Sequence, residues 1–451
     1  MIKMAKNRKV KNEIITVDIN NNYYYENPLE DDMRPKNGKN FQGELYSDSE
    51  TLKQLNLISF KEQVNSNKDK RLILSLSSNK NGNNEIEYFV KTGLYAGDII
   101  FNGFRFKIRP KEELLFKRML NFANDIFIDN TINSTDNNEN TFDLIIYMFI
   151  MSLEKTAMLG LPQEYVKQKE QGVKFKGSVD VNNYIKKNIP FLGKISYCFR
   201  EHRYVQDIVD VLFAALTIVK KRKSEILIGR LNDIYPALKE NYSGKRINLE
   251  TISKALNHKS LQNPVFMRFK QVLNYAKIII TQNDLESAVS EKDEISGYLV
   301  DVSELFEIYL EKLLRNSFVD WTIKTQEKLQ IYNGTFFEGE MRPDIVMEKN
   351  CKVVVFDAKF KKMEELKEDV DREDLFQIHT YMSYYDDNIV CGGLLYPVSK
   401  TNTNGVCSET LFGNGKNKTK FIIDGVCVAS SMKDLIEQEK SFVKRIKGYI
   451  E

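Results

Sequence analysis

The stretch MRPDIVMEKNCKVVVFDAKFK, residues 341–361, decides the fold of the last third of this chain. Asp344 and Asp357 lie symmetrically about the midpoint between Asn350 and Cys351. A tight turn at that midpoint folds two strands back on each other and sets the two carboxylates opposite, where cross-strand Cβ atoms stand about 4.5–5.5 Å apart. Two carboxylates that close repel unless a cation lies between them. Hard oxygen ligands select Mg²⁺, with Mn²⁺ as the alternative. Lys359 follows Asp357 by two residues and so leaves the strand on the same face. An ammonium there can orient or help deprotonate a water, or meet the charge of a phosphate. Val353 to Phe356 read as a buried strand, with Phe356 and Ala358 on the opposite face.

Working outward, residues 303–316 (SELFEIYLEKLLRN) form an amphipathic pattern, with Ser303 as the expected N-cap. Glu304, Glu307 and Glu311 share one stripe of that helix, and Glu307 is the candidate to reach the paired aspartates. Strands are expected at 321–332, 343–348 and 352–360. A helix at 371–385 opens on acidic residues, which suit its positive N-terminal end. Gln377 and Tyr381 stand four residues apart and share a face of it. A strand at 389–396 follows, then a hairpin at 421–428 turning on Asp424-Gly425, and a closing helix from 431 to 447. The order αβββαβ implies an α/β core with a mixed sheet.

The rest of the chain reads differently. Short apolar runs at 71–76, 85–91 and 98–108, with turn residues at 81–84 and 102–103, predict a β-rich region over 1–110. From 111 to 290 the spacing turns helical, at 114–127, 141–158 and 206–222, with 209–219 apolar on most faces and hence buried. The fold class is thus α/β in the broad, multidomain α+β sense. The expected divisions are 1–110, a helical 111–290, and 291–451.

Composition excludes several classes of function. The 451 residues are 42% hydrophobic and 29% charged, with 9 Pro and 22 Gly, which suits globular domains and not a fibrous chain. Net charge is only +3, but residues 291–451 hold 22 Lys/Arg against 29 Asp/Glu, so the excess of basic residues lies before position 291. A phosphate-bearing partner is drawn to the first part of the chain more than to the last. Five cysteines without CxxC spacing argue against a disulfide framework or a cysteine zinc site. No G-x-x-x-x-G-K-[ST] occurs; Ser243-Gly244-Lys245-Arg246 and Gly413-Asn414-Gly415-Lys416 lack the spacing, so the chain brings no phosphate-loop motor. His202, His258 and His379 form no metal pair, and no helix-turn-helix is visible. The apolar runs at 144–151 and 211–219 fall short of the ~20 residues that span a bilayer. No membrane partner is expected, and a cytoplasmic location is.

These residues carry a resemblance. Pro343-Asp344 followed by Asp357-Ala358-Lys359 resembles the PD-(D/E)xK nuclease superfamily, and Gln377-x-x-x-Tyr381 resembles the extension found in its RecB/Cas4-like branch. More closely, Leu305-Phe306-Glu307, Arg342-Pro343-Asp344-Ile345-Val346, Asp357 to Lys361 and Asp374-Leu375-Phe376-Gln377 are similar to McrC, the nuclease subunit of McrBC-type restriction systems, with LlaJI-type enzymes as cousins. Phe106 to Lys111 and Lys176 to Asp180 are weaker landmarks of that family. The resemblance implies a restriction-endonuclease-like αβββαβ core. It implies that Asp344, Asp357, the backbone carbonyl of Ala358 and Glu307 hold Mg²⁺, with Glu307 as the accessory acid, that Lys359 assists the attacking water, and that Gln377 and Tyr381 order the site and the DNA. The expected substrate is foreign, and in some cases methylated, double-stranded DNA. The expected partner is an McrB-like AAA+ GTPase or ATPase hexamer that docks through the N-terminal region. Two rival expectations are a RecB/Cas4-like repair or processing nuclease, and a subunit whose main role is to activate a partner NTPase.

Overall fold

The computed structural model describes residues 16–21, 27–29, 41–48, 51–52, 55–58, 70–80, 86–123, 141–191, 193–222, 229–287, 295–330, 339–361, 370–385, 388–398, 407–410 and 419–450. By packing, the chain divides into two units, Met1–Thr141 with Lys292–Glu451, and Phe142–Glu291. It is a mixed α/β fold with several sheets.

In the first unit, β-branched and aromatic alternation builds two sheets from the early chain. One is antiparallel, in the order Asn27–Pro28, Ile86–Thr92, Leu72–Lys80 and Gly43–Tyr46. The other is mixed, in the order Thr16–Asn20, Phe104–Arg109, Tyr95–Phe101, Ile295–Asp301 and Asn56–Ile58. Phe41 lies between them, edge-on to Tyr88 at 5.1 Å and to Phe104 at 5.3 Å. The run expected at 98–108 is a hairpin, Tyr95–Phe101 with Phe104–Arg109, turning on Asn102 (φ 51) and Gly103 (φ 82). The turn expected at 81–84 falls outside the described residues. Strand Ile295–Asp301, at the start of the expected third domain, pairs antiparallel with Tyr95–Phe101 inside this early sheet.

That strand runs straight into helix Val302–Ser317. Asp301, and not Ser303, is the N-cap: its Oδ1 accepts from the Glu304 amide at 3.1 Å. Ser303 already lies inside the helix, so its hydroxyl turns back and donates to Asp301 at 2.6 Å. Asp301 still has extended backbone (φ −77, ψ 104), the geometry from which a short carboxylate reaches the first-turn amides.

The later chain forms a six-stranded mixed sheet in the order Thr322–Thr325, Ile345–Lys349, Lys352–Ala358, Ile389–Val398, Lys420–Cys427, Cys407–Thr410. The first three strands are antiparallel neighbours, and the next two pairings are parallel. Helix Arg372–Tyr384 packs Ile378, Tyr381 and Met382 onto Val353, Val355 and Leu394. Gly392 permits that closeness, since a Cβ there would meet Met382 Sδ at 2.7 Å. The hairpin expected at 421–428 is one continuous strand. Asp424 is buried and chelated by Arg445 of helix Met432–Ile450, and a Cβ on Gly425 would fall 1.7 Å from the Tyr396 carbonyl. Asp-Gly here serves an ion pair and a close strand approach, not a turn.

Glu439 joins three helices. It accepts a bidentate pair from Arg118 of helix Glu113–Ala123, at 2.8 Å to each oxygen, and a 2.9 Å bond from the Tyr309 hydroxyl.

The second unit is helical where periodicity predicts it: Thr141–Ala157 opens it, and Gln206–Arg222 matches its expected bounds with Val209, Val211, Leu212, Ala215, Leu216 and Val219 buried. It also contains strands that a purely helical expectation misses. Gln163–Gly172 and Ile195–Tyr204 form a long antiparallel hairpin, joined at its edge by Ser178–Val179. Gln163–Gly172 is polar and half exposed, and Ile195–Tyr204 is apolar only in its first half, so neither shows a sustained period-two apolar face by which strands are recognised. Among the described residues, no helix is long and apolar enough to cross a membrane.

Candidate active site

Strands Ile345–Lys349 and Lys352–Ala358 pair from Lys349↔Lys352 to Ile345↔Phe356. Both turn residues are left-handed, Asn350 at φ 48 and Cys351 at φ 63, as the tightest hairpin turn requires. The next register step sets Asp344 opposite Asp357. Asp344 Oδ2 accepts from the Ala358 amide at 2.9 Å, and its Oδ1 accepts from the Gln326 side chain at 2.8 Å.

Asp357 is 2% exposed, and its Oδ2 has no hydrogen bond. Lys359 Nζ stands 2.9 Å from that oxygen, an ion-pair contact outside hydrogen-bonding geometry. Burial pushes the Asp357 carboxyl up, Lys359 opposes the rise, and Asp374 and Glu307 add to it. Lys359 itself donates to Gln377 Oε1 at 2.9 Å and lies 3.4 Å from Asp374. Burial works to lower its pKa, but Asp357 and Asp374 outweigh it, so the ammonium's pKa is held well above its ordinary value. A lysine so placed stays protonated. In that form it suits orienting and charge-stabilising roles.

The Gln377 amide donates onward to the Tyr381 hydroxyl at 2.7 Å, and that hydroxyl reaches the Arg342 carbonyl at 3.4 Å. Lys359, Gln377 and Tyr381 therefore form a connected string between one strand, the helix and the residue two before Asp344. Glu307 approaches from helix Val302–Ser317, with Oε2 3.5 Å from the same Gln326 amide that binds Asp344. All six candidate side chains are brought into one neighbourhood. His379 on the same helix bonds the Leu375 carbonyl and stacks on Phe421, and it takes no part.

Two residues of this neighbourhood have no site role assigned from the sequence. Gln326 is a non-glycine at φ 52, a conformation that costs energy and persists where surroundings enforce it. Nothing in a lone glutamine after a strand signals that. Asp374 lies within 2.9 Å of Lys361 and 3.4 Å of Lys359, and Asp371 also contacts Lys361. The acidic start of the helix was legible, but its aim at two lysines was not.

Does this donor set fit Mg²⁺? Among the described residues, no three His, Cys, Asp or Glu side chains converge as a ready-made cage. Mg²⁺ commonly takes one or two carboxylates and completes its shell with water and substrate phosphate. Asp344 and Asp357 suit that pattern, and buried Asp357 Oδ2, which meets the Lys359 ammonium at 2.9 Å, keeps a further lone pair that a cation would satisfy. The donor set therefore fits as a two-carboxylate site, with Glu307 nearby, 3.5 Å from the Gln326 amide that also binds Asp344.

A stability prediction follows. A carboxyl whose folded-state value is raised favours folding when protonated, and that support is lost as pH rises above the ordinary aspartate range. Asp357→Asn removes the buried charge and leaves Lys359 its Asp374 and Gln377 partners. The variant is expected to melt higher than the parent at neutral pH in chelator, and to lose the stabilisation that added Mg²⁺ gives the parent. A lower melting temperature in chelator would show that the Lys359 pair outweighs desolvation.

Comparison with known proteins gives two kinds of match. The family model described as McrBC 5-methylcytosine restriction system component matches residues 81–397. Among solved structures, a chain from the half-complex of Thermococcus gammatolerans McrB AAA+ hexamers with bound McrC is similar at a TM-score of 0.52, with 20% identity over 80% of this chain and 84% of that one. A chain of the Thermococcus gammatolerans McrBC complex solved by cryo-EM matches at 0.39, with 18% identity over 67% of this chain and 88% of that one. At these identities the first likeness speaks to the fold alone. No curated protein matches the chain.

Proposed function

The chain belongs to the family of McrBC 5-methylcytosine restriction system components, and from that premise we propose that it is the Mg²⁺-dependent DNA endonuclease subunit of an NTP-driven restriction system. The observation that carries the reading is the hairpin register that sets Asp344 beside Asp357, with Lys359 on the same face. Asp344, Asp357 and the Ala358 carbonyl would hold the ion, which when bound supplies charge neutralisation at the phosphate and a more acidic water. Lys359, clamped by Asp357, Asp374 and Gln377, presents a fixed ammonium to the scissile phosphate or the incoming water. Gln377 and Tyr381 keep that ammonium from swinging away. Glu307 and Gln326 hold the Asp344 carboxylate in place. The rate enhancement would then come mostly from electrostatic preorganisation.

The sequence carries no phosphate-binding loop, so in an NTP-driven system the motor would come from a partner, and the McrB AAA+ hexamers of the similar structure are of that kind. The 1–110 region was the expected docking surface. The apolar side chains exposed at Val173, Phe175, Val181, Ile185, Ile189 and Phe191, at the turn end of the long hairpin, favour that second-unit surface instead. Replacing Phe175 and Phe191 together by Asp is expected to abolish stimulation of the partner NTPase while leaving the melting temperature unchanged, as measured by NTP turnover with and without the chain. Undiminished stimulation would return the docking surface to 1–110.

The reading as a whole is tested by cleavage of closed circular DNA by the chain purified with its AAA+ partner, in Mg²⁺ with GTP or ATP. Triphosphate-dependent cutting supports it. Cutting without partner or triphosphate favours a repair-type nuclease, and NTPase stimulation without any cutting favours an activator.

A further inference from the structure

Arg71 reaches the candidate active site from far away in sequence, 232 positions before the serine that it contacts. Its backbone is clamped on both sides by Ser47: the Arg71 amide donates to Ser47 Oγ at 3.0 Å, and its carbonyl accepts from the Ser47 amide at 2.9 Å. From that anchor, Nη1 donates to Ser303 Oγ at 2.8 Å and lies 3.8 Å from Asp301 Oδ2. Ser303 precedes Glu307 by four residues on one helix, so the guanidinium lies one turn along the same stripe from the accessory acid. Glu307 in turn shares the Gln326 amide with Asp344.

Three features distinguish this arginine from a helix staple. Its side chain keeps 39% exposure although Asp301 beneath it has 2%. Among the described residues, the Ser303 bond engages one of the five donors of the fork, whereas Lys359 is already committed to Asp357, Asp374 and Gln377. Burial works against its charge, yet Asp301, Tyr95, Glu307 and Asp344 together outweigh burial, so the charge stays on at any working pH. DNA approaching these acids meets a region of net negative charge, where residues 291–451 carry 29 Asp/Glu against 22 Lys/Arg. A fixed, planar, forked cation at the rim is what such a site needs to accept a polyanion, and a guanidinium binds phosphate through two parallel N–H bonds where an ammonium acts as a point charge.

We infer that Arg71 is a DNA-backbone ligand of the candidate active site, its outward N–H groups taking a non-bridging oxygen of a phosphodiester next to the one that is cut. This rests on the nuclease reading above. The residue is supplied by the early β-region, so the site is incomplete without residues before position 80.

The test uses the full chain with its AAA+ partner, in three forms: parent, Arg71→Gln and Lys359→Ala. Glutamine can still donate to Ser303, so a purely structural role is largely preserved. Binding to linear duplex DNA is measured in Ca²⁺ over a salt series, and cleavage in Mg²⁺. One lost phosphate contact lowers the slope of log affinity against log salt by about 0.9. The expected result for Arg71→Gln is that loss of slope, at least tenfold slower cleavage, and an unchanged melting temperature. An unchanged slope with parental cleavage overturns the inference while leaving Lys359→Ala inactive and the nuclease reading intact. Cleavage by Lys359→Ala at the parental rate overturns the nuclease reading, and the salt slope still decides whether Arg71 holds phosphate. If Arg71→Gln does not fold, Arg71→Lys keeps the charge without the fork; a tenfold loss of cleavage at unchanged melting temperature supports the inference, and parental cleavage overturns it.

Discussion

Replacing Lys359 by Ala is expected to slow DNA cleavage on the order of 10³-fold or more while the complex with the AAA+ partner still assembles. The ammonium sits 2.9 Å from a buried carboxylate oxygen, and among the described residues no other cation is paired with that carboxylate. Lys361 is the nearest alternative in sequence, but it is engaged with Asp371 and Asp374. Asp344→Ala and Asp357→Ala should be equally inactive, because each deletes half of the carboxylate pair set up by the hairpin. The three losses should not add, since the residues act as one unit. Single-turnover cleavage measures the rate, and co-elution on a sizing column reports assembly. Parental cleavage by Lys359→Ala would mean that this face of the sheet is not where DNA is cut.

Glu439→Ala is expected to produce the largest loss of stability, about 3–5 kcal/mol, the usual cost of leaving one member of a buried pair without its partner. Arg118 keeps only 19% side-chain exposure and would be left charged, and the Tyr309 hydroxyl would lose its acceptor within a fully enclosed environment. Burial and the neighbouring Glu439 together hold the Tyr309 phenol well above its ordinary value, so it remains a donor throughout. The double variant Arg118→Met, Glu439→Leu should recover most of the loss, because replacing both charges with apolar groups of similar volume removes the desolvation cost. Denaturant unfolding of the four proteins completes a double-mutant cycle. A loss below about 1 kcal/mol for Glu439→Ala would mean that water reaches Arg118.

Legibility from sequence divided along physical lines. The spacing of Asp344 and Asp357 about Asn350-Cys351 foretold the register because a two-residue turn leaves a strand pair no other choice. Helix Gln206–Arg222 was legible because its apolar face is wide and unbroken. The Asp424-Gly425 hairpin was misread because that dipeptide satisfies two different needs, and only the position of Arg445 and the Tyr396 carbonyl decides between them. Ser303 was misread as the cap because the extended strand before it carries no mark of where it stops. Gln326 and Arg71 were out of reach altogether. Their roles depend on contacts across 18 and 232 positions, and pairwise periodicity carries no information at such separations.

The passage from strand Ile295–Asp301 to helix Val302–Ser317 has no connecting loop, since one aspartate ends the first and caps the second. Mechanically this is a rigid coupling without slack. Glu307 lies only six residues beyond Asp301, about 9 Å of helical rise. A tug on the early sheet is therefore delivered to the accessory acid as displacement and not absorbed as the straightening of a tether. In such a linkage the reach of Glu307 is fixed by the geometry of one residue, and its stiffness by the hydrogen bonds that Asp301 accepts from Ser303 and Glu304.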